Sequence, residues 1–189
     1  ETTVAREGYD PGFLGIPVPE PELTLALKRD AVNFGKAQVI PYTHFSVCLS
    51  AARRLARYVA WNIDGARMVK VARTGFSYDP RIDQKHQTGD EVYAGNRLDR
   101  GHIARRADLC WGDVAEARQA NRDSFYFTNI APQHERFNQS SRKGLWGGLE
   151  DLLFEQAEVT DLRVSVMAGP IFAEDDPAYR GTQIPETFW

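Results

Sequence analysis

Apolar positions along the chain fall into short blocks, and their spacing predicts the elements. Residues 45–49 and 57–63 are strand-like runs, and the charged stretch Ala52, Arg53, Arg54 between them reads as a hairpin tip. Asp64 and Gly65 signal a turn, and residues 68–71 read as a third strand. Three neighbouring strands predict an antiparallel sheet as the scaffold. Upstream, residues 1–22 hold four prolines and three glycines. That composition predicts an extended arm in place of a helix or regular strand. Phe13, Leu14, Ile16 and Val18 predict that the arm packs on the body, giving an arm over residues 1–40 and a domain over 41–189. Residues 23–27 fit either a short strand or a helical turn.

Downstream, residues 74–97 are loop-like, and a loop of that length in a compact domain is usually functional or mobile. Residues 113–121 predict a helix with Asp113 as its cap. Residues 125–130 predict a strand ending in a polar turn at Ala131, Pro132 and Gln133. Residues 145–154 have helical spacing, with Leu145, Leu149, Leu152 and Leu153 on one face. Residues 162–168 alternate as a strand that Gly169 and Pro170 break. The first residues carry no methionine and no signal-like apolar run. The last two, Phe188 and Trp189, read as a strand that starts and does not continue. The first end predicts a chain that is processed or excised from something longer, and the last end favours excision.

Composition narrows the class. With 189 residues, 42% hydrophobic and 26% charged, the chain is expected to be one soluble domain with a real core. No apolar run approaches the ~20 residues that span a bilayer, so no membrane role is expected. The net charge of −3 is the wrong sign for a protein that coats nucleic acid, yet it permits an enzyme that grips a few phosphates locally. Between Arg97 and Arg122 six arginines face four carboxylates, a modest positive excess that also fits a solvated mixed-charge face. Two cysteines make neither a disulfide framework nor a zinc site. Cys48 reads as core, and the compartment leans to a reducing one, the cytoplasm over secretion.

The chemistry concentrates in Asp99, Arg100, Gly101 and His102. A histidine can take a proton from water near neutral pH. An arginine can hold a phosphate in a two-pronged grip. The glycine lets the backbone turn so that both side chains face one site. Phosphodiester hydrolysis is one reading of these four residues, and a solvated turn is the other.

Further residues decide. The Asp99 to His102 stretch, then residues 127–133, Phe137, Asn138, Gln139, Trp146, Leu149 and Glu150, in that order, resemble the DNA/RNA non-specific endonuclease family. Gly169 with Pro170 and Ile184 with Pro185 are similar to its later core strands. The resemblance implies an α+β fold: a mixed or antiparallel β-sheet core carrying a ββα-metal active-site motif around one divalent metal, Mg2+ by preference, with Mn2+ or another divalent ion as substitutes. It also implies residue roles. His102 matches the general base, Arg100 an arginine close to the scissile phosphate, and Asn138 the side chain on the metal. Glu150 matches a carboxylate acting on the metal through water, and Asn129 an asparagine that shapes the site, counted among the substrate-binding residues. Arg73 matches a second phosphate-binding arginine, with Arg81 as competitor. His44, His86 and His134 have no partner pattern, and Trp146 reads as core.

One departure stands out. Seven residues separate Asn138 from Trp146, more than in familiar members of the family. Asn138 and Glu150 are 12 apart, about 120° out of phase on a straight helix. A bend, or a loop before a helix that starts near Gly144, must bring them together if both serve one site. The expected function is metal-dependent endonucleolytic cleavage of DNA and RNA with little sequence preference, since contacts to phosphate carry no sequence information. The alternatives are a non-catalytic nucleic-acid-binding or assembly module that keeps the fold, and a phosphodiesterase for small substrates. A regulatory domain or partner chain is expected to restrain so unspecific an activity.

Overall fold

The computed structural model describes residues 4–139, 141, 144–159 and 161–189. Its centre is an antiparallel sheet built from β1 (Ile40–Pro41), β2 (Phe45–Ser50), β3 (Leu55–Asp64) and, from far along the chain, β6 (Arg163–Ala168), in the order β1-β2-β3-β6. The β2–β3 hairpin forms where the apolar runs predict it, with Val47 opposite Val59. Side chains alternate across the pleat. Phe45, Val47, Leu49, Val59, Trp61 and Ile63 enter the main core. Cys48, Tyr58 and Ala60 point the other way, into a smaller cluster with Tyr9 and Ala31.

The proline-rich N-terminal segment covers that second face with Tyr9, and Leu23 and Ala31, on either side of α1 (Leu25–Asp30), pack there too. The segment is tied down by polar contacts at both levels. Tyr9 N donates to Ser46 Oγ at 2.9 Å, and Gly8 N to Tyr42 O at 2.9 Å. Arg6 reaches Asp123, which has no exposed surface, through Nη2 at 2.8 Å. The same carboxylate accepts from Thr43 N and Oγ1 and from Gln119. Residues 23–27 resolve in favour of the helix.

Residues 68–71 do not form the third strand. Only Met68 bridges Trp111, and Val69 N donates to Cys110 O. After Asp64 the chain enters a tight turn, Gly65–Arg67, where a Cβ on Gly65 would lie 1.9 Å from Ala157 O. The place beside β3 goes instead to β6, in register from Val59 with Ala168 to Asp64 with Arg163.

The other elements surround this sheet. β4 (Leu98–His102), α2 (Arg106–Leu109), α3 (Val114–Ser124) and β5 (Ile130–His134) follow the long loop. Asp113 caps α3 in a full capping box with Glu116. Residues 125–129 are not a strand: a short turn, Phe127–Asn129, leads into β5, which starts at Ile130. The predicted polar turn at 131–133 is itself strand. It pairs antiparallel with β4 and sets Pro132 opposite Arg100, a position a two-stranded ribbon tolerates because its outer edge needs no N–H. Then come α4 (Glu135–Asn138), α5 (Leu145–Val159) and two small ribbons. These pair β7 (Pro170–Ile171) with β10 (Thr187–Phe188), and β8 (Ala178–Tyr179) with β9 (Thr182–Gln183). The α5 face is rotated from expectation. Leu145, Leu149 and Leu152 are exposed, while Trp146, Leu153 and Ala157 meet the core. Glu150 lies on that inner stripe. Among the described residues no helix is long and apolar enough to cross a membrane.

Removing the Asp123 carboxylate strands Arg6 and the buried Thr43 N–H together. Asp123→Ala should therefore destabilise by about 3–5 kcal/mol, and Asp123→Asn, which keeps an acceptor, by less. Urea denaturation of the two variants checks this.

Candidate active site

β4 and β5 form a ribbon whose outer face carries the chemistry. Arg100 and His102 sit two residues apart and share one side of β4. Gly101 between them is a steric requirement. A Cβ there would lie 2.0 Å from Gln133 Oε1, so the buried Gln133 side chain would have to give way. Arg73, Arg100, His102, Asn138 and Glu150 line one cleft of about 260 Å³, together with Arg105 and Arg106. Five of the six residues singled out in the sequence thus meet. The break at Gly144, between α4 and α5, brings Asn138 and Glu150 together as the spacing requires. Gly144 N donates to Gln139 O at 2.9 Å, and a Cβ on Gly144 would lie 2.5 Å from Phe137 O.

Asn129 is the exception. It is fully buried and does not line the cleft. Its Oδ1 accepts from Ala104 N at 3.0 Å, and its Nδ2 donates to Ala104 O and Ser124 O. These bonds leave the amide nothing to offer a substrate, which corrects the expectation of substrate binding. Asn129 clamps the chain leaving β4 to the end of α3. Arg81 is likewise spoken for. It pairs with Asp79 at 2.8 Å and lies over the Tyr42 ring, so the cleft arginine is Arg73.

Other side chains are held in place. Asn138 Nδ2 donates to Asp99 Oδ2 at 3.0 Å, joined by Gln139 Nε2 at 2.8 Å; with the nitrogen so engaged, Oδ1 is the donor atom left for a cation. Asp90 holds Arg100 through Nε at 2.7 Å and Nη2 at 2.6 Å, and Tyr93 and Phe76 flank its guanidinium. Glu150 Oε1 accepts from Trp146 Nε1 at 3.1 Å. His102 packs edge-on against Phe125, ring centroids 5.0 Å apart. Its Nε2 has no hydrogen-bond partner among the described residues.

Arg105 and Arg106, read in the sequence as a solvated face, belong to the cleft. Arg105 pairs with Asp151 at 2.7 Å, with its Nη1 buried and unpartnered. Arg106 Nη1 donates to Val71 O at 3.1 Å. Their place straight after β4, at the entry to α2, is the only sequence signal for them. Asp90 had none.

Charge is unevenly compensated here. Burial, followed by the fields of Arg73, Arg106 and Arg105, holds the His102 imidazole down to about 3. Burial pushes the Glu150 carboxyl up to about 8, and Asp108 and Asp151 add to the effect against the opposing pull of Arg105. The first keeps the histidine neutral, able to accept a proton. The second marks a carboxylate whose charge the surrounding residues do not balance.

The fold has a counterpart among solved structures. It superposes on a crystal structure described as the EndoG/EndoGI complex with a TM-score of 0.63, at 20% identity, over 82% of this chain and 66% of that one. The chain belongs to the DNA/RNA non-specific endonuclease family, whose model matches residues 26–189. It is 42% identical to protein y4fB of Sinorhizobium fredii over 97% of this chain and 30% of that protein. It is 28% identical to mitochondrial endonuclease G of Bos taurus over 73% of this chain and 44% of that protein. The chain thus spans less than half the length of these two relatives.

A divalent metal would find a thin donor set. Among the described residues no group of three His, Cys, Asp or Glu side chains is placed to hold a metal ion. Asn138 Oδ1 and the Glu150 carboxylate are the oxygen donors on the cleft. The set fits a hard cation that keeps several waters and takes further ligands from phosphate. The uncompensated burial of Glu150 fits it too, because a cation would supply the missing charge.

Between about pH 3 and 6.5 the unfolded chain takes up a proton at His102 that the folded chain refuses. Stability therefore falls as pH falls through that window. His102→Asn removes this contribution. Its loss of stability between about pH 7 and about pH 4, measured by urea denaturation, should be smaller than that of the parent.

Proposed function

We propose that the chain hydrolyses phosphodiester bonds of DNA and RNA with little sequence preference, using one divalent metal, Mg2+ first. The observation that carries this reading is the convergence of His102, Arg100, Asn138, Glu150 and Arg73 on one cleft in a chain of the endonuclease family. Arg100 and Arg73 bind and orient the scissile phosphate and offset the charge that builds on it. His102, neutral and facing the cleft, takes the proton from the attacking water. Once an anionic phosphate sits among Arg73, Arg105 and Arg106, their field on the imidazole is cancelled, so the base strengthens when substrate is bound. Asn138 would hold the metal directly and Glu150 would act on it through water. A metal held there would supply Lewis-acid stabilisation of the charge on the phosphate oxygens. Because every group addresses the phosphate, base identity does not enter.

Asp99 is a positioning residue in this scheme: it holds the Asn138 amide and touches no substrate. Asp99→Ala should raise the metal concentration needed for half-maximal activity by roughly 10–100-fold while rate at saturating metal persists. A metal titration of cleavage separates this from a general loss of folded protein, which would lower the plateau instead.

Degradation of plasmid DNA and of single-stranded RNA, with Mg2+ and with chelator, tests the whole reading. The parent should cleave both only with metal, and His102→Ala should lose at least about 10²-fold on both. Binding without cleavage by the parent would favour the non-catalytic alternative, and an active His102→Ala would remove the assigned base.

A further inference from the structure

A second concavity adjoins the catalytic cleft. It is a trough of about 430 Å³ between residues 69–74 and one face of α3. Lys70 stands on one wall, and Arg118 and Arg122 on the other. The helix delivers its side chains by its own period. Val114, Arg118, Asn121 and Arg122 recur at spacings of four, three and one, the stripe expected of one helix face. The floor is built, not open chain. Asn121 is buried, and its Nδ2 donates to Ala72 O at 3.0 Å, tying the two walls together.

Trough and cleft share a border. Arg106, which lines the cleft, donates from Nη1 to Val71 O and to Asn121 Oδ1, both in the wall or floor of the trough. Arg73, also in the cleft, belongs to the same 69–74 wall. Five cations therefore stand around the trough and the adjoining cleft that holds His102. Among the described residues none of the five forms an ion pair, although nine other basic side chains and His44 do. In a chain of net charge −3, a run of unpaired cations in a concavity is an electrostatic feature that calls for an anionic occupant. The lining holds no aromatic ring, so there is no platform on which bases could stack.

We propose that this trough is a phosphate track that grips the nucleic-acid strand on one side of the scissile phosphate, through Lys70, Arg118 and Arg122. The proposal rests on the nuclease reading above and extends it, making affinity depend on substrate length as well as on the catalytic cleft. Contacts of this kind release counterions and leave sequence unread.

The test is the salt dependence of binding of a labelled phosphorothioate oligonucleotide, with a labelled dinucleotide for comparison. It uses the parent and the triple variant Lys70→Ala/Arg118→Ala/Arg122→Ala. All three side chains are exposed, so their removal does not disturb packing. A control triple, Lys28→Ala/Arg29→Ala/Lys36→Ala, makes the same charge change at exposed positions in and just after α1. For the oligonucleotide, the slope of log affinity against log salt should fall in magnitude by about 2–3 in the track variant, with affinity at low salt down at least tenfold. The control should keep the parental slope. The dinucleotide, too short to reach the trough, should show no such difference between track variant and control. Equal slopes for track and control triples on the oligonucleotide would overturn the proposal. Because binding is read without cleavage, a parent that cleaves nothing would defeat the nuclease reading alone.

Discussion

The arrangement of the site depends on one buried amide. Asn129 has no exposed surface, and its side chain satisfies both backbone groups of Ala104 and the carbonyl of Ser124. Its own carbonyl accepts from Ile103 N at 2.9 Å. Four bonds thus converge on the two residues that follow His102 and on the last residue of α3. Each buried backbone group left unsatisfied would cost about 1–3 kcal/mol, so the segment has little freedom to drift. β4 delivers His102 to the cleft, α3 backs it, and β5 begins at the next residue. A side chain that does not line the cleft therefore fixes the segment that follows His102.

Electrostatics within the cleft pull in opposite directions, and burial decides both outcomes. The His102 imidazole is lowered first by desolvation and then by three arginines, so the two causes agree. Glu150 is subject to a conflict: Arg105 favours its charged form, while burial and two neighbouring carboxylates oppose it, and burial is the larger. Arg105 cannot serve it fully because Asp151 holds it at 2.7 Å. The protein therefore keeps a carboxyl whose burial favours its protonated form in a cleft lined by four arginines. In the proposed scheme, a cation beside Glu150 and a phosphate among the arginines would each supply the charge that its side of the cleft lacks.

Much of the fold was legible because local pattern and tertiary role agreed. The β2–β3 hairpin follows from its apolar runs, and α3 from Asp113 and Glu116. The site cluster was legible from order along the chain. What failed did so for tertiary reasons. Residues 68–71 carry strand-like side chains, but Gly65 packs against Ala157 and β6 takes the open edge. Ala131 to Gln133 looked like a turn because proline and polar residues usually make one, yet a two-stranded ribbon accommodates both. The leucines of α5 indicated one face, and the helix buries another because Trp146 fills the core and carries Glu150 with it. Arg105 and Arg106 were indistinguishable from surface arginines, since only the fold shows which wall they stand on.

The break between α4 and α5 has a further consequence. On one continuous helix Asn138 and Glu150 would point about 120° apart, and no single ion could address both. Gly144 sits where a Cβ would press on Phe137 O and Gln139 O, so the chain can fold back at this point only without a side chain. α5 then starts afresh with its own phase, set by Trp146 in the core and not by α4. Asn138 is fixed instead from the other direction, by Asp99 on β4. The two oxygen donors are thus positioned independently, one by the ribbon that carries His102 and one by a helix anchored in the main core. Of that segment, Gly144 supplies the fold-back, while the anchors of the two donors, Asp99 and Trp146, lie outside it.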